Sequence, residues 1–156
     1  MNARAGRTPR ASDEVDLGAL EHAAGFLLRA AHDASAQAFA RRAAHLDAGA
    51  GEYATLTIIG ANPGITQGQL SVATGRHMST LTPILRRLSA AGSIERTTVP
   101  QDRRSFALAL TEGGKRRLDD LTQLAREHER ELDAIVGPQR KAEFVRILRR
   151  IRTLMP

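Results

Sequence analysis

Cysteine is absent from the 156 residues, which excludes disulfides, thiolate metal centres and thiol redox sensing. Tryptophan is absent too, and aromatic residues make up only 3%, so Leu, Ile, Val and Ala must fill any core. No apolar run approaches the roughly 20 residues needed to cross a bilayer. The opening "MNARAGRTPRASDE" is basic but has no apolar centre, so it does not read as a secretory signal. Residues 1–11 read as a disordered arm, and the chain as a soluble, cytoplasmic protein. GxSxG, Walker and dinucleotide glycine motifs are missing, so neither an enzyme nor a bound cofactor is expected. The five histidines, His22, His32, His45, His77 and His128, include no HExxH. They form no carboxylate cluster beyond the adjacent His32 and Asp33, which do not face each other on a helix. No metal site is expected.

What is present is basic charge, unevenly placed. Lys and Arg total 23 against 17 acids, a net +6. Between Gly75 and Arg117 nine basic residues stand against Glu95, Asp102 and Glu112. That surplus, nine minus three, equals the whole net charge. Such a balance suits nucleic acid or an anionic surface and says nothing of fold.

Ser12-Asp13-Glu14 reads as a helix start, followed by Leu17, Leu20, Ala24, Leu27, Leu28, Ala31, Ala38, Phe39 and Leu46 at spacings of three and four. Gly49-Ala50-Gly51 ends the pattern. One helix of some 34 residues would be roughly 50 Å long, more than one domain of this size covers, which predicts a second subunit. A shorter helix over 52–60 turns Leu56 and Ile59 inward, and Asn62-Pro63-Gly64 is a turn. Thr66 and Gln69, three apart, form a capping box opening a helix of about one and a half turns. Thr74-Gly75 turns the chain, and "MSTLTPILRRLSAAG" makes the next helix, with Leu81, Leu85 and Leu88 toward the core and Gly92 at its end. Helix, short glycine turn, helix is the helix-turn-helix plan.

Two candidate strands follow, 94–99 and 105–110, around the charged tip Gln101-Asp102-Arg103-Arg104-Ser105. Alternation puts Phe106, Leu108 and Leu110 on one face of the second strand. Thr111 then caps a helix over 112–136 that Gly137 ends. The last helix begins at Pro138 and carries Phe144, Leu148, Ile151 and Leu154. A helix-turn-helix followed at once by a hairpin is a winged helix, with the second helix in the DNA major groove and the wing reaching toward the minor groove. Arg103 and Arg104 suit that narrow groove, where negative potential concentrates, and Asp102 can hold one of them. On the second helix Ser79, Thr80, Thr82 and Arg86 are candidate base contacts. Arg76 and His77 enter from the turn, and Pro83 is expected within the first helical turn. The bland alternatives are a cap for Ser79, a surface role for His77, and a phosphate contact or plain solvation for Arg87.

The run "GQLSVATGRHMSTLTPILRRLSAAGSIERTTVPQDRRSFALALTEGGKR" resembles the winged-helix core of the MarR family of regulators. A capped "TQ..L" helix, a "T..L..L...G.I.R" recognition helix, a "D.R" wing and a closing "LT..G" occur in order and spacing. "STLTPILRRL" is similar to the recognition helix of the peroxide-sensing branch, whose reactive cysteine is absent here. The resemblance implies a homodimeric transcription factor, usually a repressor, that binds a pseudo-palindromic double-stranded operator and leaves it on meeting a small ligand. It also implies an effector site between the first helix and the DNA-binding lobe. There Phe26, Arg29 and His32 are the candidates, with Arg29 and His32 receiving an anion such as an aromatic acid or its thioester. "FLLRAAHDA" is similar to the first helix of MarR-type regulators of aromatic-acid breakdown. The plain alternative is an Arg29–Asp33 surface ion pair.

The expected fold is mainly α. A winged helix-turn-helix lobe with a two-stranded wing occupies 52–111, and helices over 12–50 and 112–156 form a dimerisation region. The rival of another class is a winged helix used as an architectural or protein-interaction module, binding nucleic acid without sequence preference and taking no ligand.

Overall fold

The computed structural model describes residues 15–99 and 102–155, with 99 and 102–105 described by their backbone alone. The arm over 1–11, the cap at Ser12-Asp13-Glu14 and Gln101 lie outside the described residues. The chain falls into two compact units, one ending at Ser35 and the other beginning at Ala36.

The expected single long first helix is interrupted. A 3₁₀ turn spans Gly18–His22, and α1 runs over Ala24–Arg42. Between them Ala23 is extended, with φ −82° and ψ 107°. At the start of the turn, Gly18 donates its N–H to Asp16 Oδ1 at 2.8 Å and takes φ +56°, a side-chain-to-backbone bond and a left-handed residue that both oppose a regular helix starting before it. Beyond Arg42 the chain tightens into a 3₁₀ turn, Ala43–Leu46, and Asp47 ends it with φ 50°. Nineteen residues of α1 span about 28 Å, so helix length no longer argues for a second subunit. The exposed large apolar side chains of the first unit are Val15, Leu17, Leu20, Leu27 and Leu28.

In the second unit α2 spans Glu52–Ala61, α3 Gln67–Thr74, α4 Met78–Ala90, α5 Glu112–Val136 and α6 Lys141–Leu154. Leu56 and Ile59 of α2, Leu70 of α3, Leu81, Leu85 and Leu88 of α4, and Leu121 of α5 meet in one aliphatic core. Ile94 and Leu108 add to it from the strands. Phe39 near the end of α1 packs on Tyr53, with ring centroids 5.9 Å apart, and edge-on to His128 at 5.8 Å. Arg42 pairs with Glu131 of α5.

The sheet has three strands rather than two. β1, Ile65–Thr66, pairs antiparallel with β3, Asp102–Leu110, and β3 pairs antiparallel with β2, Ile94–Val99. A two-residue strand is too short to show alternation, and Ile65 and Thr66 gain strand geometry by lying opposite Leu108 and Ala107. β3 also begins earlier than expected, because Asp102 lies opposite Val99 across an irregularity after the Thr98–Phe106 pair. Of the face expected to be apolar, Leu108 is buried and Leu110 half-buried, but Phe106 is 45% exposed.

The capping box at Thr66 and Gln69 is formed on both sides. α6 begins three residues later than expected. Gly137 has φ 85° and ψ 138°, and its carbonyl accepts the N–H groups of Arg140 at 3.1 Å and Lys141 at 3.2 Å. Pro138–Arg140 therefore form a turn ahead of the helix. Ile135, Phe144, Ile147, Leu154 and Met155 of this region are exposed apolar residues, while Arg152 reaches back to donate to the Ala73 carbonyl at 2.9 Å.

The start of α5 is seated on the end of the α4 segment. Thr111 Oγ1 accepts the Gly114 N–H at 3.0 Å and donates to the Gly92 carbonyl at 2.6 Å. Thr111 N–H donates to the Ser93 carbonyl at 3.1 Å. A Cβ placed on Gly114 would fall 1.9 Å from the Ser93 carbonyl oxygen, whereas one on Gly113 would meet nothing closer than 3.5 Å. Gly114→Ala is therefore expected to lower the unfolding free energy by about 3 kcal/mol, the scale of overpacking a closed core. Gly113→Ala should change it by less than about 1 kcal/mol, since relief of glycine's backbone entropy offsets a tolerable contact. Urea unfolding of the two variants beside wild type measures the contrast.

Candidate nucleic-acid interface

The turn between α3 and α4 is built from short hydroxyl contacts and one left-handed glycine. Gly75 takes φ 66°, which lets the chain reverse without a Cβ clash. Ser71 Oγ donates to the Arg76 carbonyl at 2.6 Å, and Thr74 Oγ1 to the Leu70 carbonyl at 2.7 Å. His77 is the N-cap of α4, with an extended backbone and no side-chain capping bond. Ser79 is thus not the cap. It lies inside the helix and is exposed.

With Leu81, Leu85 and Leu88 buried on the inner face, the 100° step of a helix places Ser79, Thr82, Pro83 and Arg86 on the opposite side. They stand at i, i+3, i+4 and i+7, one continuous stripe, and all four are exposed. Thr80 flanks the stripe and is exposed, as is His77. Pro83 corrects an expectation, for it is the sixth residue of α4 and not within its first turn. A proline there cannot donate to the Ser79 carbonyl, and buried apolar packing on the inner face offsets the cost of about 3 kcal/mol. Arg76 is half-buried with its guanidinium over Gly51, where a Cβ would come within 3.1 Å of Cζ.

Arg87 is neither simply solvated nor free for phosphate. It pairs with Glu52 through Nη2 and donates from Nη1 to the Asp47 carbonyl at 3.3 Å. Arg117 of α5 donates Nε to the other Glu52 oxygen at 2.7 Å, and the Gly49 N–H adds a bond of 3.1 Å. The Glu52 side chain is 4% exposed. One buried carboxylate therefore joins the loop before α2, the recognition helix α4 and α5. The Arg87 guanidinium lies close over Gly49, where a Cβ would sit 2.0 Å from Nη2 and push that group aside. Two of the nine basic residues in the positive segment are committed to an intramolecular pairing with an acid that lies outside that segment.

Gln67, at the start of α3, is a residue that sequence reasoning missed. Its Nε2 donates to Thr82 Oγ1 at 2.9 Å and lies 3.4 Å from the Met78 carbonyl. It is therefore beside the outer stripe of α4. Its spacing of 15 residues from Thr82 carries no helical signal. The side chains of Asp102, Arg103 and Arg104 lie outside the described residues, while their backbone is strand.

Of the effector candidates in the first unit, Phe26 is half-buried and Arg29 and His32 are exposed. Arg29 pairs with Asp33 at 3.2 Å, and its Cζ lies 5.7 Å from the Phe26 ring centroid. The surface ion pair is formed, and an exposed i, i+4 pair is worth only a few tenths of a kcal/mol. Among the described residues no cluster of His, Cys, Asp or Glu could hold a metal ion. No helix among them is long and apolar enough to cross a membrane.

A helix-turn-helix whose outer stripe is polar, followed by an antiparallel wing, defines a winged-helix DNA-binding protein. Residues 50–106 match the model of the MarR family. The chain is 29% identical over 146 residues to a Thauera aromatica protein assigned to transcriptional regulation of the hcr operon, covering 92% of this chain and 88% of that relative. Among solved structures it is similar to the transcriptional repressor CouR bound to a 23-mer DNA duplex. Identity is 27% and the TM-score 0.80, over 90% of this chain and 99% of that one. The PcaV regulator of Streptomyces coelicolor, in complex with its natural ligand, shares the fold. Its TM-score is 0.76 at 24% identity, over 90% of this chain and 97% of that one. Over residues 50–106 the chain carries a MarR-type domain, and the relative and solved structures it resembles support a DNA-binding transcriptional regulator.

Glu52→Gln keeps the shape of the knot but turns an amide toward one guanidinium and removes the charge both arginines face. It is expected to lower the unfolding free energy by about 2–3 kcal/mol, near the lower end for breaking a buried pair. Arg87→Ala should cost less, because the Arg87 side chain is 42% exposed. Equal losses for the two variants in chemical unfolding would contradict the central place given to Glu52.

Proposed function

We propose that the protein is a homodimeric repressor that binds a pseudo-palindromic operator in the cytoplasm and releases it on taking up a small organic anion. The observation that carries the DNA half is the exposed stripe Ser79, Thr82, Pro83 and Arg86 on the helix whose other face is buried leucine. Such a face fits a major groove, where side chains near the helix N-terminus meet base edges. Thr80, His77 and Arg76 lie at the edge of that surface. The DNA bound to CouR supports the same partner here.

In this reading residues 52–111 are the DNA-binding lobe, and helices over 12–50 and 112–156 mediate dimerisation. Exposed apolar side chains support that role, namely Leu17, Leu20, Leu27 and Leu28 before the lobe and Phe144, Ile147, Leu154 and Met155 after it. Two recognition helices then address half-sites about one DNA turn apart, roughly 34 Å.

The wing supplies arginines. Replacing both Arg103 and Arg104 by Ala should weaken operator binding. For every phosphate the wing no longer grips, the slope of log K against log salt should fall by about 0.9, while the fold persists. Titration at several salt concentrations reads both values, and an unchanged slope in a folded protein removes the wing from the interface.

For the effector, Arg29 offers a planar two-pronged donor that a carboxylate matches. Phe26 offers an apolar face, and His32 a second polar group. The weak exposed bond to Asp33 is one that a ligand carboxylate can replace. PcaV, which shares the fold, holds a natural ligand. Benzoate and related aromatic acids, with their thioesters, are the probes to titrate against the protein–operator complex, with wild type and Arg29→Ala side by side. Wild type should release DNA at a lower ligand concentration than the variant. Release at the same concentration leaves Arg29 a surface residue, and no release by any organic anion leaves a constitutive regulator.

A further inference from the structure

We propose that Thr82 reads DNA through its methyl group, and that Gln67 is the positioning residue that commits its hydroxyl elsewhere. The inference rests on the reading of α4 as the groove-facing helix. Thr82 is exposed in the middle of the outer stripe. Its Oγ1 donates to the Met78 carbonyl at 2.8 Å and accepts from Gln67 Nε2 at 2.9 Å. A hydroxyl has one proton to give, and here that proton is spent within the helix. Thr82 therefore cannot donate to guanine N7 or O6, adenine N7 or thymine O4, the acceptors that line the groove.

The Gln67 amide is oriented by the same network. Both of its close neighbours offer lone pairs, the Met78 carbonyl oxygen at 3.4 Å and the Thr82 hydroxyl, so nitrogen and not oxygen must face them. A helical threonine divides between two side-chain rotamers, and a bond to the carbonyl four residues back selects one. Gripped from two sides, Oγ1 stays on the α3 side of the stripe. The methyl is the one group left to meet a base edge, and the matching group in the major groove is the C5-methyl of thymine.

The geometry makes opposite demands on two conservative variants. Thr82→Ser keeps the hydroxyl and both its bonds but removes the methyl. Thr82→Val keeps a methyl and removes the hydroxyl. The experiment begins by selecting an operator from random duplexes with the wild-type protein. Each thymine of that operator is then replaced singly by deoxyuridine, which deletes only the methyl, and affinity is read by fluorescence anisotropy. One thymine in each half-site should show a loss of about fourfold with wild type, the scale of one buried methyl group. Thr82→Val should keep that loss, Thr82→Ser should abolish it, and Gln67→Ala should diminish it with helix content unchanged.

A purely structural role for the Gln67–Thr82–Met78 bonds predicts the reverse, with Ser behaving as wild type and Val failing. That result overturns the proposal, and so does an operator in which no thymine responds. If selection enriches no sequence at all, the repressor reading itself fails, a result separate from either of these.

Discussion

A single buried carboxylate holds together the parts that must keep their relative geometry. Glu52 stands at the first position of α2, and its two oxygens are divided between Arg87 on the recognition helix and Arg117 on α5. A carboxylate left alone in that position would cost several kcal/mol, and two guanidiniums brought together without it would repel. The three groups therefore stabilise one another's positions in the folded state. The leucine face of α4 supplies most of the burial, but apolar contact is tolerant of sliding. Charge-assisted bonds with fixed directions are not, so the knot fixes where along and around its axis α4 sits.

The same region is closed from below by the seat of α5. Thr111 bridges the turn after α4 and the first turn of α5, and Gly114 lets two backbones approach more closely than any side chain permits. Recognition helix, turn and α5 thus share one rigid junction. The "LT..G" pattern that closes the family resemblance has this physical content: a threonine that caps and a glycine that makes room.

Local features of this fold were open to sequence reasoning, and distant pairings were not. The Thr66–Gln69 box, the leucine spacing of α4 and the limits of α5 depend on neighbours within four residues, and each stands as expected. The late start of the first helical turn also has local features, Asp16 and Gly18, but a long apolar period outweighs them when the pattern alone is read, and the extended Ala23 carries no signal in that pattern. Glu52 lies 35 residues from Arg87 and 65 from Arg117, so no periodicity connects them. Arg87 consequently read as a surface cation. Gln67 escaped for the same reason. β1 owes its existence to β3, since two residues carry no alternation of their own.

Pro83 has a consequence for the backbone of α4. Because proline has no N–H, it cannot give the Ser79 carbonyl the bond that a regular helix would supply. The same ring holds φ at about −65°, so the chain has fewer conformations to lose on folding at this position. The residue that removes a helical bond from the exposed stripe thus also stiffens the backbone at its centre.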